Sequence, residues 1–179
     1  MFVLGHAGLT LFGMISYESL RGRPRSWDRP GKALLLVLFS LLPDLVDKPL
    51  AIWVIPQAPS TRLFAHSLAF WILTWSVLRA LSPGWAVLHL PVFFHLILDR
   101  MWLYPRTLLF PLLGWERGPF ALSDLSLWAF FMENIRLYSS NWRLWTPELL
   151  GLGVLLHLGF GHLFRPHPSR RRCRLPREI

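Results

Sequence analysis

Apolar residues gather along this chain in long blocks, near 2–17, 33–55, 63–81, 84–104 and 147–164. Each block approaches the roughly 20 residues that a helix needs to cross a hydrocarbon core of about 30 Å. The pattern therefore predicts an all-α fold, a polytopic transmembrane helix bundle of about five spans. Between the fourth and fifth blocks, 105–146 holds LLFPLL and PFALSDLSLWAFFM. These are too short to cross singly and are expected as re-entrant or interfacial segments. Residues 1–164 read as one helical domain and 165–179 as a basic tail.

Composition agrees with that pattern. Apolar residues make up 53% of the 179, with 15 prolines and 10 tryptophans, which is apolar for a water-exposed domain of this size. Two basic runs, RGRPRSWDRPGK at 21–32 and RPHPSRRRCRLPR at 165–177, set an orientation if both lie inside. The expectation is a multi-pass protein of a bacterial or archaeal cytoplasmic membrane, N-terminus outside and C-terminus cytoplasmic. The first block lacks a charged leader and a small-residue cleavage site and carries His6, so it is expected to stay in the mature protein. The net charge of +9 could point to nucleic acid, but positive-inside topology accounts for both basic runs, and membrane lipids are the expected partners. The lone Cys173 permits no intramolecular disulfide and no thiolate metal site. Most of the tryptophans, among them Trp53, Trp71 and Trp102, read as interfacial or lipid-facing residues.

Titratable residues interrupt the apolar blocks at His6, at Asp44 and Asp47 in LLPDLVDKP, at Arg62 and His66 in TRLFAHS, and at His95 and Asp99 in HLILD. Ionisable groups in such surroundings are costly and mark functional sites. Counted at about 1.5 Å per residue from the inferred inner ends, these groups fall about 16–22 Å along four separate helices, in one layer. Spacings of three and four put Asp44 with Asp47, Arg62 with His66, and His95 with Asp99 on common helical faces. Pro43 and Pro49 bracket the acid pair and predict a broken helix there. His6, Asp44, Asp47, His66, His95 and Asp99 together form a mixed oxygen and nitrogen ligand set. That set suits a divalent ion such as Zn²⁺, Mn²⁺ or Fe²⁺, one or two in number. Hydrolysis of a lipid or lipid-linked phosphoester by a metal-activated water is the favoured activity, with Asp47 as general base and Arg62 on the phosphate.

Plainer roles stand beside this. Any single histidine here can be a packing residue, and His89, His157 and His162 are read so. Lys48 or Arg62 could pair with the acids at 44 and 47, and Arg100 could neutralise Asp99. A transporter using the same polar layer, or a non-catalytic membrane subunit, are the other two readings. The transporter would carry internal symmetry, and the sequence has no internal repeat.

Gly5-His6, LLPDLVDKP, Arg62 through His66-Ser67, and His95 through Asp99 followed by RMWLYPRTLLFPLLG occur in that order over roughly residues 5–114. In these motifs the chain resembles the inner-membrane proteins described as LexA-regulated, membrane-bound metal-dependent hydrolases. The resemblance implies a metal-binding hydrolase fold in the membrane and names no substrate. Many members have a P-D-x-D acid pair followed by a histidine, and another histidine just before the arginine. This chain has a longer spacing, with Lys48 and Thr61 at those places, which implies fewer ligands and one ion rather than two. Arg106 stands where the resemblance leads one to expect an acidic residue, so no ligand is implied from that loop.

Overall fold

The computed structural model describes residues 3–22, 30–55, 58, 60–115 and 127–163. These are helical, with no strand among them. Helix α1 (Val3–Leu20) is followed by α2 (Pro30–Pro49), which passes directly into a π-helical turn (Leu50–Val54). A 3₁₀ turn (Phe64–His66) then leads into α3 (Leu68–Leu81), and a second one (Trp85–Leu88) into α4 (His89–Leu98). A third 3₁₀ turn (Met101–Leu103), the short α5 (Pro105–Leu108), α6 (Leu127–Ser140) and α7 (Trp142–Leu163) complete the order.

The all-α expectation holds, whereas the spanning one does not. Among the described residues no helix is long and apolar enough to cross a membrane, which overturns the multi-pass placement and its orientation. The reason lies in how the apolar blocks are cut. The block at 63–81 opens with a loop and a 3₁₀ turn, which leaves 14 residues for α3, about 21 Å of helix. The block at 84–104 is cut at both ends. A 3₁₀ turn opens it, and Asp99 caps α4 before Arg100, whose φ of 54° no right-handed helix accepts. Ten residues, about 15 Å, remain for α4. Helices α1, α2 and α7 have the length, but polar and charged side chains interrupt their apolar character: Thr10 and Glu18, Asp44 and Asp47, Arg143 and Glu148. The basic tail and most of the 21–32 run lie outside the described residues.

The prolines act differently from the expectation. Helix α2 runs unbroken through Pro43 and both acids, and the ladder changes only after Pro49, where the π turn widens it. Helices α1, α2 and α4 pack against one another, α7 closes on α1, and α3 leans on α4 and the 3₁₀ turns. Along α2, Leu36 belongs to one buried apolar cluster with Leu11, Met14, Leu78 and Leu88. Ala51 of the π turn belongs to another with Ala58 and Leu63. Along α2, Asp44 and Asp47 fall between the residues of the two clusters, Asp47 fully buried and Asp44 part-buried.

The α1–α7 contact is unusually close. A Cβ at Gly8 would lie 2.1 Å from the Gly151 carbonyl oxygen, and one at Gly151 would lie 2.2 Å from that of Leu4. Only two glycines permit this approach.

Candidate metal centre

The site begins with Asp47, which is fully buried. Its Oδ2 accepts from the backbone N–H of Leu63 at 2.6 Å and of His66 at 3.2 Å, and Oδ1 accepts from that of Ala65 at 3.0 Å. Those three donors lie in the irregular segment that bridges the π turn and α3. One carboxylate on α2 thus stands in for the ladder the segment lacks. Ser67 finishes the work as the N-cap of α3, accepting from Phe70 N–H at 3.1 Å.

Asp47 has a further partner, His66 Nδ1, at 2.7 Å. A carboxylate there can only accept, so Nδ1 carries the proton and Nε2 faces inward. His95 is held in the same manner, its Nδ1 donating to the Ser40 carbonyl at 2.7 Å. Ser40 lies in the turn of α2 that ends at Pro43. Both imidazoles therefore have their outer nitrogen fixed as a donor, the arrangement metal-ligating histidines adopt.

The inner nitrogens converge. His66 Nε2 and His95 Nε2 are 3.2 Å apart. Asp44 Oδ1 is 3.5 Å from the first and 4.0 Å from the second, and Asp99 Oδ2 is 3.8 Å from His66 Nε2. Ligands bonded tetrahedrally at about 2.0–2.1 Å are separated by about 3.3–3.4 Å, close to the distances from His66 Nε2 to His95 Nε2 and Asp44 Oδ1. His6, fully buried, stacks on His95 with ring centroids 4.0 Å apart and reaches Asp99 Oδ1 with Nε2 at 3.1 Å. Its Nδ1 is buried with no hydrogen-bond partner among the described residues. Two sets of potential ligand atoms arise, His6 with Asp44 and His95, and His66 with His95 and Asp99, each within 4.8 Å. Buried His/Asp groups able to hold a metal ion are thus present.

Electrostatics point the same way. Burial opposes charge on His66, yet the Asp44 and Asp47 carboxylates outweigh it and raise its pKa above the ordinary histidine value. For His95, burial and then the neighbouring His6 and His66 depress the pKa to about 3. Within the touching pair, positive charge is thus favoured on His66 over His95. Burial would raise Asp44, but the His66 hydrogen bond and the Lys48 ammonium, 2.7 Å from Oδ2, hold it well below the carboxylate range. Asp99 is likewise held low against burial by His6 and Arg62. His66 Nε2 thus has His95 Nε2, Asp44 Oδ1 and Asp99 Oδ2 around it at 3.2, 3.5 and 3.8 Å, surroundings that favour positive charge.

Of the residues singled out in the sequence, His6, Asp44, His66, His95 and Asp99 meet here. Asp47 does not face the convergence point. Its oxygens are taken by Leu63, Ala65 and His66, so the ligand and general-base roles expected of it give way to positioning. Arg62 lies at the edge, its Nε 3.1 Å from Asp99 Oδ2 and its guanidinium 4.9 Å over the Tyr104 ring. It takes the neutralising place considered for Arg100, which is exposed. His89 bonds the Ala86 carbonyl through Nδ1, away from the site, and His157 is exposed. The side chain of His162 lies outside the described residues.

Two participants went unforeseen. Glu148 of α7 is buried, and its Oε2 accepts from Gly5 N–H at 2.8 Å, in the first turn of the helix that carries His6. Its signal was available, an acid opening the apolar block at 147–164. Tyr138 of α6 had no such signal; burial and the Glu148 and Asp99 carboxylates push its phenol up to about 12. Comparison of the chain with protein-family models, with curated proteins and with solved structures gives no match.

Proposed function

We propose that this chain is a metal-dependent hydrolase of phosphoesters, with one Zn²⁺ or Mn²⁺ held by Asp44, His66, His95 and Asp99. His6 braces Asp99. The observation that carries the reading is the convergence of His66 Nε2 and His95 Nε2 at 3.2 Å, each ring oriented by a fixed Nδ1 donor, beside two carboxylates. Mixed imidazole and carboxylate donors without thiolate favour those ions. The motif resemblance to metal-dependent hydrolases supports the same class.

A divalent ion in such a site supplies Lewis acidity and a water acidified toward neutral pH. The remaining work belongs to side chains. Asp47 and the Ser40 carbonyl keep both imidazoles in the ligating tautomer. Arg62, with five donors of which Asp99 takes one, offers the others to a phosphate oxygen at the partly exposed edge. Asp44, kept ionised by the Lys48 ammonium at its Oδ2, leaves Oδ1 to the ion.

The test is turnover of bis(p-nitrophenyl) phosphate by the purified chain. The account expects activity that chelation abolishes and that added Zn²⁺ or Mn²⁺ restores. Arg62→Ala should raise KM at least tenfold while metal content stays as in the wild type. Chelator-insensitive turnover, or none with metal bound, would overturn the proposal.

A further inference from the structure

Arg62 is held from two sides at the edge of the candidate metal centre. Its Nε is 3.1 Å from Asp99 Oδ2, and its guanidinium carbon lies over the Tyr104 ring, 4.9 Å from the centroid. Both partners come from one short stretch of chain. Asp99 caps α4, and Arg100 then takes φ 54° and ψ 44°, left-handed values that few residues other than glycine adopt. The 3₁₀ turn Met101–Leu103 follows, and Tyr104 opens α5, which packs against the 3₁₀ turn that carries His66. Five residues after Asp99 the chain has thus returned to the same guanidinium. Strained backbone of this kind gathers at functional sites. The Tyr104 side chain makes no cap hydrogen bond, so opening α5 does not account for its ring. Burial opposes the charge on Arg62, but Asp99 and then Tyr104 outweigh it and raise its pKa. The side chain is still 30% exposed, open to a ligand.

From this double hold we infer that Tyr104 is a positioning residue for phosphate binding. Asp99 fixes one edge of the Arg62 guanidinium and the Tyr104 ring fixes its plane, so the remaining N–H groups are set for a phosphate oxygen before it arrives. A side chain ordered in advance gives up less freedom on binding. The inference rests on the phosphate role proposed for Arg62.

Calorimetric titration of the Zn²⁺-loaded protein with phenyl phosphate, beside KM for bis(p-nitrophenyl) phosphate, tests it. Tyr104→Leu should weaken phenyl phosphate binding and raise KM about fivefold, the size of a cation–π contact, with kcat and metal content as in the wild type. Tyr104→Phe keeps the ring and should stay within about twofold of the wild type. Placed on Arg62→Ala, Tyr104→Leu should change nothing further, because a positioning residue has no effect without the group it positions. Where Tyr104→Leu does not fold, Tyr104→Met is the second ring-free variant. Wild-type affinity in a folded ring-free variant would overturn the inference. So would a loss as large on Arg62→Ala as on the wild type, or loss of metal together with the ring. Tyr104→Phe binding as weakly as Tyr104→Leu would overturn it too, since the hydroxyl and not the ring would then carry the effect. Coupled binding without turnover sinks the hydrolase reading and keeps the role of Tyr104, whereas turnover whose KM depends on Arg62 and not on Tyr104 does the reverse.

Discussion

Asp47 and Asp44 are one turn apart on α2 and perform different tasks, which is where the sequence and the structure part most instructively. The pair's spacing shows that both carboxylates share a face, but not which backbone donors wait opposite. The irregular segment at 60–67 decides it, because three of its N–H groups have no helical acceptor and Asp47 serves all of them. An Asp47→Asn variant turns an amide NH₂ toward at least one of those donors. It should cost about 2–4 kcal/mol of stability, since hydrogen bonds to a buried charge contribute about 1.5–3 kcal/mol each. Metal affinity should fall 10–100-fold through the freed His66 ring. Thermal denaturation and metal titration of the same sample check both. Protonation follows the pair of imidazoles. Metal must displace the proton of His66, so apparent affinity should rise about tenfold per pH unit until the raised His66 pKa is passed. In the metal-free protein, His95 has its folded pKa at about 3 against 6.5 unfolded, so its contribution to stability is lost as pH falls from 6.5 toward 3. His66 has the opposite sign: its contribution is present below 6.5 and lost as pH rises through its raised value. His95→Asn should therefore flatten the acid side of the metal-free stability profile and leave the alkaline side.

The side chains gathered at the centre come from α1, α2, a 3₁₀ turn and α4 with its C-cap, and the packing of those elements fixes their positions. His6 rides on α1, which α7 holds through the Gly8–Gly151 contact and the Glu148 carboxylate at Gly5 N–H. Gly8→Ala should cost about 1–3 kcal/mol, the usual penalty of overpacking, because the clash is with backbone and the helices must separate. Metal binding should weaken with it. Gly153→Ala, on the same α7 but with nothing within 4 Å of the added Cβ, should instead stabilise by about 0.5–1 kcal/mol. Chemical denaturation of the two variants gives the comparison. The helical nature of these elements was legible in the apolar blocks, and so was the gathering of His and Asp side chains, because an Asp or His among leucines stands out. The ends of α3 and α4 were not. Ser67 as an N-cap and Arg100 in the left-handed region interrupt runs that read as continuous by hydropathy alone.

At the scale of the whole molecule, composition led toward spanning helices for a physical reason: it counts apolar residues without saying which way they face. Leu112, Trp142 and Trp53 are 83%, 73% and 71% exposed, so much of the apolar content lies on the outer surface. What the fold does with its interior is to gather five potential ligands around one point, His6, His66, His95 and Asp99 buried and Asp44 part-buried. An ion that binds only the folded chain should add stability by mass action, about 2.7 kcal/mol at a free concentration one hundred times Kd. The most direct test is metal content by elemental mass spectrometry, on the wild type beside Asp44→Asn and His95→Ala, with helix content followed by circular dichroism. The account predicts about one equivalent of Zn or Mn in the wild type, lost from both variants while helix content is retained. A wild-type chain that takes up no ion after incubation with Zn²⁺ and Mn²⁺, or variants that keep the ion in full, would contradict it.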